Sequence, residues 1–209
     1  MSQITIIDYT SKPITFIGKT AGVCYNSNTE RDDLNYKRGL RNIKDNHGRT
    51  FEFPDVTMIL DGYSARVLRE VYTHIIGTSR IQASTRYIDY SDKFEYYTPK
   101  SLTNNETYHK TMEVIQEAYQ ELLNSGYKKE DIGNLLPLGL NSKMVLKINF
   151  RAILHMAEVR MCSRAYVEYR ELMKDMQKAL SELDDEWAEL AKMMKPRCVT
   201  CTEKENCEW

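Results

Sequence analysis

The chain has 209 residues, with 29 Lys+Arg against 30 Asp+Glu for a net charge of −1, and 42 % of it is hydrophobic. That length suits one domain with a real core, and the balanced charge argues against a nucleic-acid binder that works by neutralising phosphates. The apolar fraction excludes an intrinsically disordered chain.

Two short β-rich runs open the sequence, Ile4–Ile7 and Ile14–Ile17, separated by Lys12-Pro13. A polar helix is expected from Glu30 to Asn46, stopping at Asn46-His47-Gly48. Pro54–Leu60 reads as a strand and Asp61-Gly62 as a turn. A helix should follow over Tyr63–Ile76, with Val67, Leu68, Val71 and Ile75 at helical spacing. Gly77 to Pro99 reads as irregular or extended and is tyrosine-rich. Thr103-x-x-Glu106 has the form of a capping box for a helix ending at Asn124-Ser125-Gly126. A short helix-to-loop segment over Asp131–Leu138 precedes a strand at Met144–Ile148. Asn149 can cap a long helix running to Leu180, and Ser181-x-x-Asp184 opens a last helix before Pro196. This mixture predicts an α+β fold.

No uninterrupted apolar run approaches the ~18–20 residues that cross a bilayer, and the first residues carry no basic n-region. A cytoplasmic protein with no membrane partner is expected. The five cysteines are Cys24, Cys162, Cys198, Cys201 and Cys207. The last three read C-x2-C-x5-C without a nearby fourth ligand, so reduced thiols and no metal are expected.

Three segments hold more polar chemistry than a core needs, one of them His47 to Pro54, which either lines a pocket or turns a corner. Thr78 to Tyr87 carries Arg80, Arg86, Gln82, two serines and two threonines, a set suited to an anionic ligand. Asn149 to Arg170 places Asn149 and Arg160 on nearly the same helix face, with Arg164 and Glu168 continuing the row and Arg151 and His155 on a neighbouring face. Phosphate-loop, dinucleotide, zinc-protease and nucleophile-elbow signatures are absent from the sequence.

These segments resemble the flavin-dependent thymidylate synthases. Ser79-x-x-Gln82-x-Ser84-x-Arg86-Tyr87 is similar to the second half of that family's signature. Asn149-x-Arg151-x3-His155-x4-Arg160-x4-Ala165-x2-Glu168-x-Arg170 is similar to its ligand-binding helix. His47 to Phe53 and Leu136-Pro137-Leu138 fall in the matching order. The resemblance implies helices on a small, mostly antiparallel sheet with a long C-terminal ligand-binding helix. It implies a single catalytic domain over 1–195 and a cysteine-containing tail over 196–209. The implied reaction is methylation of dUMP to dTMP, using FAD, NADPH and methylenetetrahydrofolate, in a homotetramer whose sites are shared between subunits.

By position, Arg160 would activate the uracil, and Gln82, Ala83, Ser84, Thr85 and Arg86 would join it in binding dUMP. Thr50, His74, Ser79, Arg80, Gln82, Asn149, Arg151 and His155 match flavin-contacting positions. Two departures mark a divergent subtype. The Arg-His-Arg half of the signature is missing: without gaps its positions are His74, Ile75 and Ile76, and a one-residue shift aligns His74 with the family histidine, flanked by Thr73 and Ile75; Gly133 stands where the family has an arginine three residues before Leu136. A non-catalytic nucleotide-binding module on the same fold is the alternative these departures raise.

Overall fold

The computed structural model describes residues 2–198, 201, 202 and 207. Its strands β1 (Gln3–Tyr9), β2 (Asp55–Ser64), β3 (Thr78–Gln82) and β4 (Asn141–Asn149) form one sheet in the order β1-β2-β4-β3. Its helices are α1 (Pro13–Cys24), α2 (Asp32–Lys44), α3 (Ala65–Val71), α4 (Glu106–Asn124), α5 (Lys129–Ile132), α6 (Phe150–Arg160), α7 (Val167–Ser181) and α8 (Asp185–Ala191). The α+β expectation holds, with an antiparallel sheet. The Ala83 N–H donates to the Lys143 carbonyl while the Asn149 N–H donates to that of Gly77, so β3 and β4 run in opposite senses. Alternate residues on two strands are fully buried: Val56, Met58 and Leu60 on β2, and Met144, Leu146 and Ile148 on β4. This period-2 burial is what a sheet with one covered face produces.

The chain divides into two compact units, one formed by Asp61–Thr73 and Ile81–Met144, the other by Gln3–Leu60, His74–Arg80 and the chain from Val145 onward. In the second unit α1 lies directly on α2. A Cβ added to Gly39 would stand 2.0 Å from the Ile14 carbonyl oxygen, and one added to Gly18 would stand 1.8 Å from that of Asn35. Only hydrogen at these two Cα atoms allows the backbones this close. Ile14–Ile17 is therefore helical, against the strand expectation. Ile14 and Ile17 are the buried i, i+3 pair of α1, and a short apolar run does not separate a strand from a buried helix. The start of α1 is closed by acids from the other end of the chain. Glu186 accepts from the Thr15 N–H at 2.8 Å and from its hydroxyl at 2.6 Å. Phe150 packs edge-on against Phe51 and Trp187, with ring centroids 5.7 and 6.1 Å away.

In the first unit the tyrosine-rich segment has a packing role. Tyr90, Phe94, Met112, Tyr119, Ile132 and Leu140 form one buried cluster. Gln116 on α4 ties the segment down, donating to the Tyr90 carbonyl at 2.7 Å and accepting from the Phe94 N–H at 2.8 Å.

Several boundaries differ from expectation. Asp61-Gly62 lies inside β2, which runs on to Ser64, so the helix expected from Tyr63 spans only Ala65–Val71. Ser64 caps it by accepting from the Val67 N–H. The segment expected to be irregular or extended is extended over β3 at its start. Asn105, not Thr103, caps α4, accepting from the Tyr108 N–H at 2.8 Å. Asp184, not Ser181, caps α8. The long helix expected from Asn149 to Leu180 is two helices, α6 and α7, broken between Arg160 and Val167. Arg164 lies in that break, so it does not continue a helical row toward Glu168, a buried residue in the first turn of α7.

Among the described residues no helix is long and apolar enough to cross a membrane. Cys198, Cys201 and Cys207 are each partly exposed.

Candidate functional site

The residues singled out by sequence fall into two groups, one in each unit. Thr50, His74, Ser79, Arg80, Asn149, Arg151, His155 and Arg160 all lie in the second unit. Asn149 starts the arrangement. It ends β4 and caps α6, its Oδ1 accepting from the Ala152 N–H at 2.9 Å. It packs against Gly77, whose φ is +74°, and a Cβ there would stand 2.6 Å from Asn149 Oδ1. Glycine is required at 77 on both counts. The result is that the loop before β3 is laid on the first turn of α6.

In the first turn of α6, Arg151 pairs with Glu52. Glu52 closes the 3-10 turn Gly48–Glu52, which also carries Thr50 and plants the buried Phe51 against Phe150. The Thr50 hydroxyl donates to the His47 carbonyl at 2.8 Å.

At the last turn of α6 stands Arg160. Its Nε donates to His74 Nε2 at 3.1 Å. Its guanidinium carbon lies 4.7 Å from the centroid of the Tyr169 ring, which is fully buried on α7. This is a cation held over an aromatic face. Three neighbours surround His74: Arg160, His155, whose ring centroid is 5.9 Å away, and Tyr169 at 6.3 Å. Arg80 joins them from β3, donating to the His74 carbonyl at 2.9 Å and to the Thr78 hydroxyl at 2.5 Å, while that hydroxyl donates to the same carbonyl at 2.6 Å. Burial, reinforced by the charges of Arg160, His155 and Arg80, pushes the His74 imidazole down to about 4. At neutral pH it is uncharged. Because Nε2 accepts, the ring proton is on Nδ1.

The second group, Gln82 to Arg86, lies in the first unit. Gln82 Nε2 donates to the Ser142 hydroxyl at 3.4 Å. The Ala83 N–H donates to the Lys143 carbonyl at 2.8 Å, and there β3 pairing stops. Ser84 then heads a turn. Its hydroxyl accepts from the Arg86 N–H at 3.3 Å, and its carbonyl accepts from the N–H groups of Tyr87 and Ile88. Thr85 faces Gly133, where an added Cβ would stand 3.4 Å from its hydroxyl. Arg86 is paired with Glu130 on α5, and Lys129 beside it with Asp89. The Lys129 ammonium, with Ser91, holds the Asp89 carboxyl well below the usual carboxylate range.

Three participants were not among the expected residues: Tyr169, Glu130 and Ser142. Tyr169 sits between the quoted Glu168 and Arg170, but an unbroken helix would not have brought it onto Arg160.

The model of the family described as thymidylate synthase complementing protein matches residues 5–184. The flavin-dependent thymidylate synthase of Pyrococcus furiosus is 28 % identical over 218 residues, covering 95 % of this chain and 87 % of that one. Its counterpart in Pyrococcus abyssi is 28 % identical, covering 98 % and 91 %. Among solved structures, ThyX from Helicobacter pylori, complexed with FAD and dUMP, superposes with a TM-score of 0.76 at 19 % identity, over 92 % of this chain and 99 % of that one. The UMP/dUMP methylase PolB from Streptomyces cacaoi, bound with 5-Br dUMP, gives 0.74 at 21 % identity over 92 % and 95 %.

Proposed function

The chain belongs to the thymidylate synthase complementing protein family, and from that membership we propose that it is a flavin-dependent thymidylate synthase converting dUMP to dTMP. Methylenetetrahydrofolate is the one-carbon donor and NADPH the reductant. FAD, when bound, supplies hydride-transfer chemistry that no side chain offers.

The single observation that carries the reading is the hold on Arg160. Two fixed partners, His74 Nε2 and the Tyr169 ring, keep its guanidinium in one place. A cation so placed against a uracil favours the base ionised at N3 and raises electron density at C5, the carbon to be methylated. The dUMP phosphate is given to Ser84 and Arg86, with Gln82, Ala83 and Thr85 completing the nucleotide contacts.

The donor set suits a flavin dinucleotide. Arg80 and Arg151 are cations of the kind a diphosphate needs, and the Arg151 side chain remains 53 % exposed while paired. Thr50, Ser79, Gln82, Asn149, His74 and His155 add further donors and acceptors. Arg80 stands two residues from Thr78 and bonds the His74 carbonyl, which supports it as a replacement for cations of the missing Arg-His-Arg. On this reading residues 1–195 act as one catalytic domain of a divergent subtype, in the cytoplasm. We read the assembly as a homotetramer with sites shared between subunits. The strong exposure of Ile75, Ile76, Ile81 and Tyr87, each at least 72 % exposed and close in sequence to candidate residues, supports a covering copy.

The test is release of tritium from [5-3H]dUMP by the purified protein supplied with FAD, NADPH and methylenetetrahydrofolate. Release that depends on all components is expected, and Arg160→Ala should lower it by about 10²–10³-fold. A wild-type protein that releases none overturns the reading.

A further inference from the structure

We propose that Cys162 and Cys207 are a thiol modification site: hydrogen peroxide joins them in a disulfide that straps the end of the chain onto the turn between α6 and α7. The pair stands apart from the reading of substrate and cofactor. It is also not the pair that spacing suggests, which is Cys198 and Cys201 in the C-x2-C of the tail.

The tail meets the fold on either side of Arg160. Before it, the Arg197 N–H donates to the Glu158 carbonyl at 3.1 Å, and the Arg197 guanidinium pairs with the Glu158 carboxylate. After it, the Ser163 hydroxyl donates to the Cys207 sulfur at 3.6 Å, although the two residues are 44 positions apart. Loop closure over that length is entropically opposed, so the fold supplies the meeting. Ser163 directly follows Cys162, which puts the Cys207 sulfur no more than about 10 Å from the Cys162 Cα. Closing the bond draws the chain end in from there. Both thiols are partly exposed, so a small oxidant reaches them.

Cys162 is the fixed partner. Its carbonyl accepts from the Ala165 N–H at 2.9 Å, and the Ser163 carbonyl beside it accepts from Arg170 of α7. The turn is therefore held from α7 as well as from α6. Arg160 ends α6 and Tyr169 lies in α7, so a covalent strap at Cys162 acts on the segment that joins these two contacting residues.

The first thiol takes one oxygen from the peroxide as a sulfenic acid and releases water. The sulfur of the second displaces that oxygen, which leaves as a second water while the S–S bond forms. The two cysteines lose two electrons and two protons, and one peroxide is reduced to two waters. A dithiol reverses the step by exchange.

Trypsin separates the possible products. It leaves Cys162 in the peptide 161–164, Cys207 in 205–209, and both Cys198 and Cys201 in 198–204. The full chain is treated with equimolar hydrogen peroxide, alkylated, digested without reductant and read by mass spectrometry. Peptide 161–164 joined to 205–209 within one chain is the expected main product, and dithiothreitol should release it. In urea the same treatment should lose this preference, because the fold no longer brings the two together. The bond closes a long loop, so the oxidised native chain should melt about 5–10 °C above the reduced one. Cys207→Ser should lose both the linked peptide and the gain, while Cys24→Ser, at an exposed cysteine, should keep both. A main product confined to the tail cysteines overturns the proposal, and so does a link between two chains, seen as a dimer on a non-reducing gel. The same link formed equally well in urea, or formed natively with no rise in melting temperature, overturns it too, because the thiols would then have met away from their place in the fold.

Discussion

One carboxylate oxygen of Glu130 receives Arg86 twice, from Nε at 3.2 Å and from Nη2 at 3.1 Å. The side chains are 62 % and 46 % exposed, so water competes for both and the pair is weak as a source of stability. Its consequence is for binding. The guanidinium edge given to Glu130 is an edge that a phosphate would use, and the two anions compete for it. Glu130→Gln keeps the shape and removes the competitor. With Arg86 as a phosphate ligand, the variant should bind dUMP severalfold more tightly by calorimetry, with the gain shrinking at high salt. It should leave binding of deoxyuridine, which has no phosphate, unchanged. Equal or weaker dUMP binding would show that Arg86 does not hold the phosphate, or that Glu130 is needed to aim it.

The depressed His74 has a stability counterpart. Its folded value of about 4 lies below the ordinary 6.5, so on acidification the unfolded chain takes up this proton first. The contribution is therefore fully present above about 6.5 and is lost progressively as pH falls toward 4. Urea midpoints measured between pH 7.5 and 4 should decline over that window. His74→Gln, with nothing to protonate, should flatten that part of the decline. An equally steep decline in the variant would place the uptake at another group.

The sequence made some of this legible and concealed the rest, for reasons that individual residues show. Asn149 was readable as a cap because capping is local: one side-chain oxygen and an N–H three residues on. The strand at Met144–Ile148 was readable from period 2, since Met144, Leu146 and Ile148 are the buried residues of β4. α1 was not readable, because what makes Ile14–Ile17 helical is the contact of Gly18 and Gly39 with a second helix. The break between α6 and α7 carries no proline or glycine from Met161 to Tyr166, so a continuous helix was the natural expectation. That break is also why Tyr169 escaped notice as a partner of Arg160. Arg160 itself was found by similarity of spacing. Its hold by His74 depends on tertiary placement, which spacing does not encode.

Gly77 and Asn149 separate two effects that act on one loop. Asn149→Ala removes the α6 cap and should cost about 1 kcal/mol of stability. Gly77→Ala has to hold a left-handed φ of +74° and also place a methyl 2.6 Å from Asn149 Oδ1. Its cost should be larger, about 1–3 kcal/mol from the backbone alone. In the double variant the clash with the amide is gone, so the two costs should sum to more than the double mutant loses. Strict additivity in denaturant titrations would mean that the amide does not press on residue 77.

At Gly39 two opposite effects of adding a methyl can be weighed. In the middle of α2, alanine is the better helix former by about 1 kcal/mol, and at an exposed site Gly→Ala would stabilise. Here the methyl would meet the Ile14 carbonyl oxygen at 2.0 Å, and a third neighbour, Ile14 Cγ2, stands at 3.0 Å. A side chain could rotate away from such a contact. A backbone carbonyl in α1 cannot do so without moving the helix. Overpacking of this kind costs about 1–3 kcal/mol and sometimes more, so the clash should exceed the gain in propensity. Gly39→Ala should therefore lower the melting temperature, while Leu40→Ala next to it, at a residue already 42 % exposed, should change it little. A melting temperature that rises in Gly39→Ala would mean that α1 and α2 are not packed backbone to backbone.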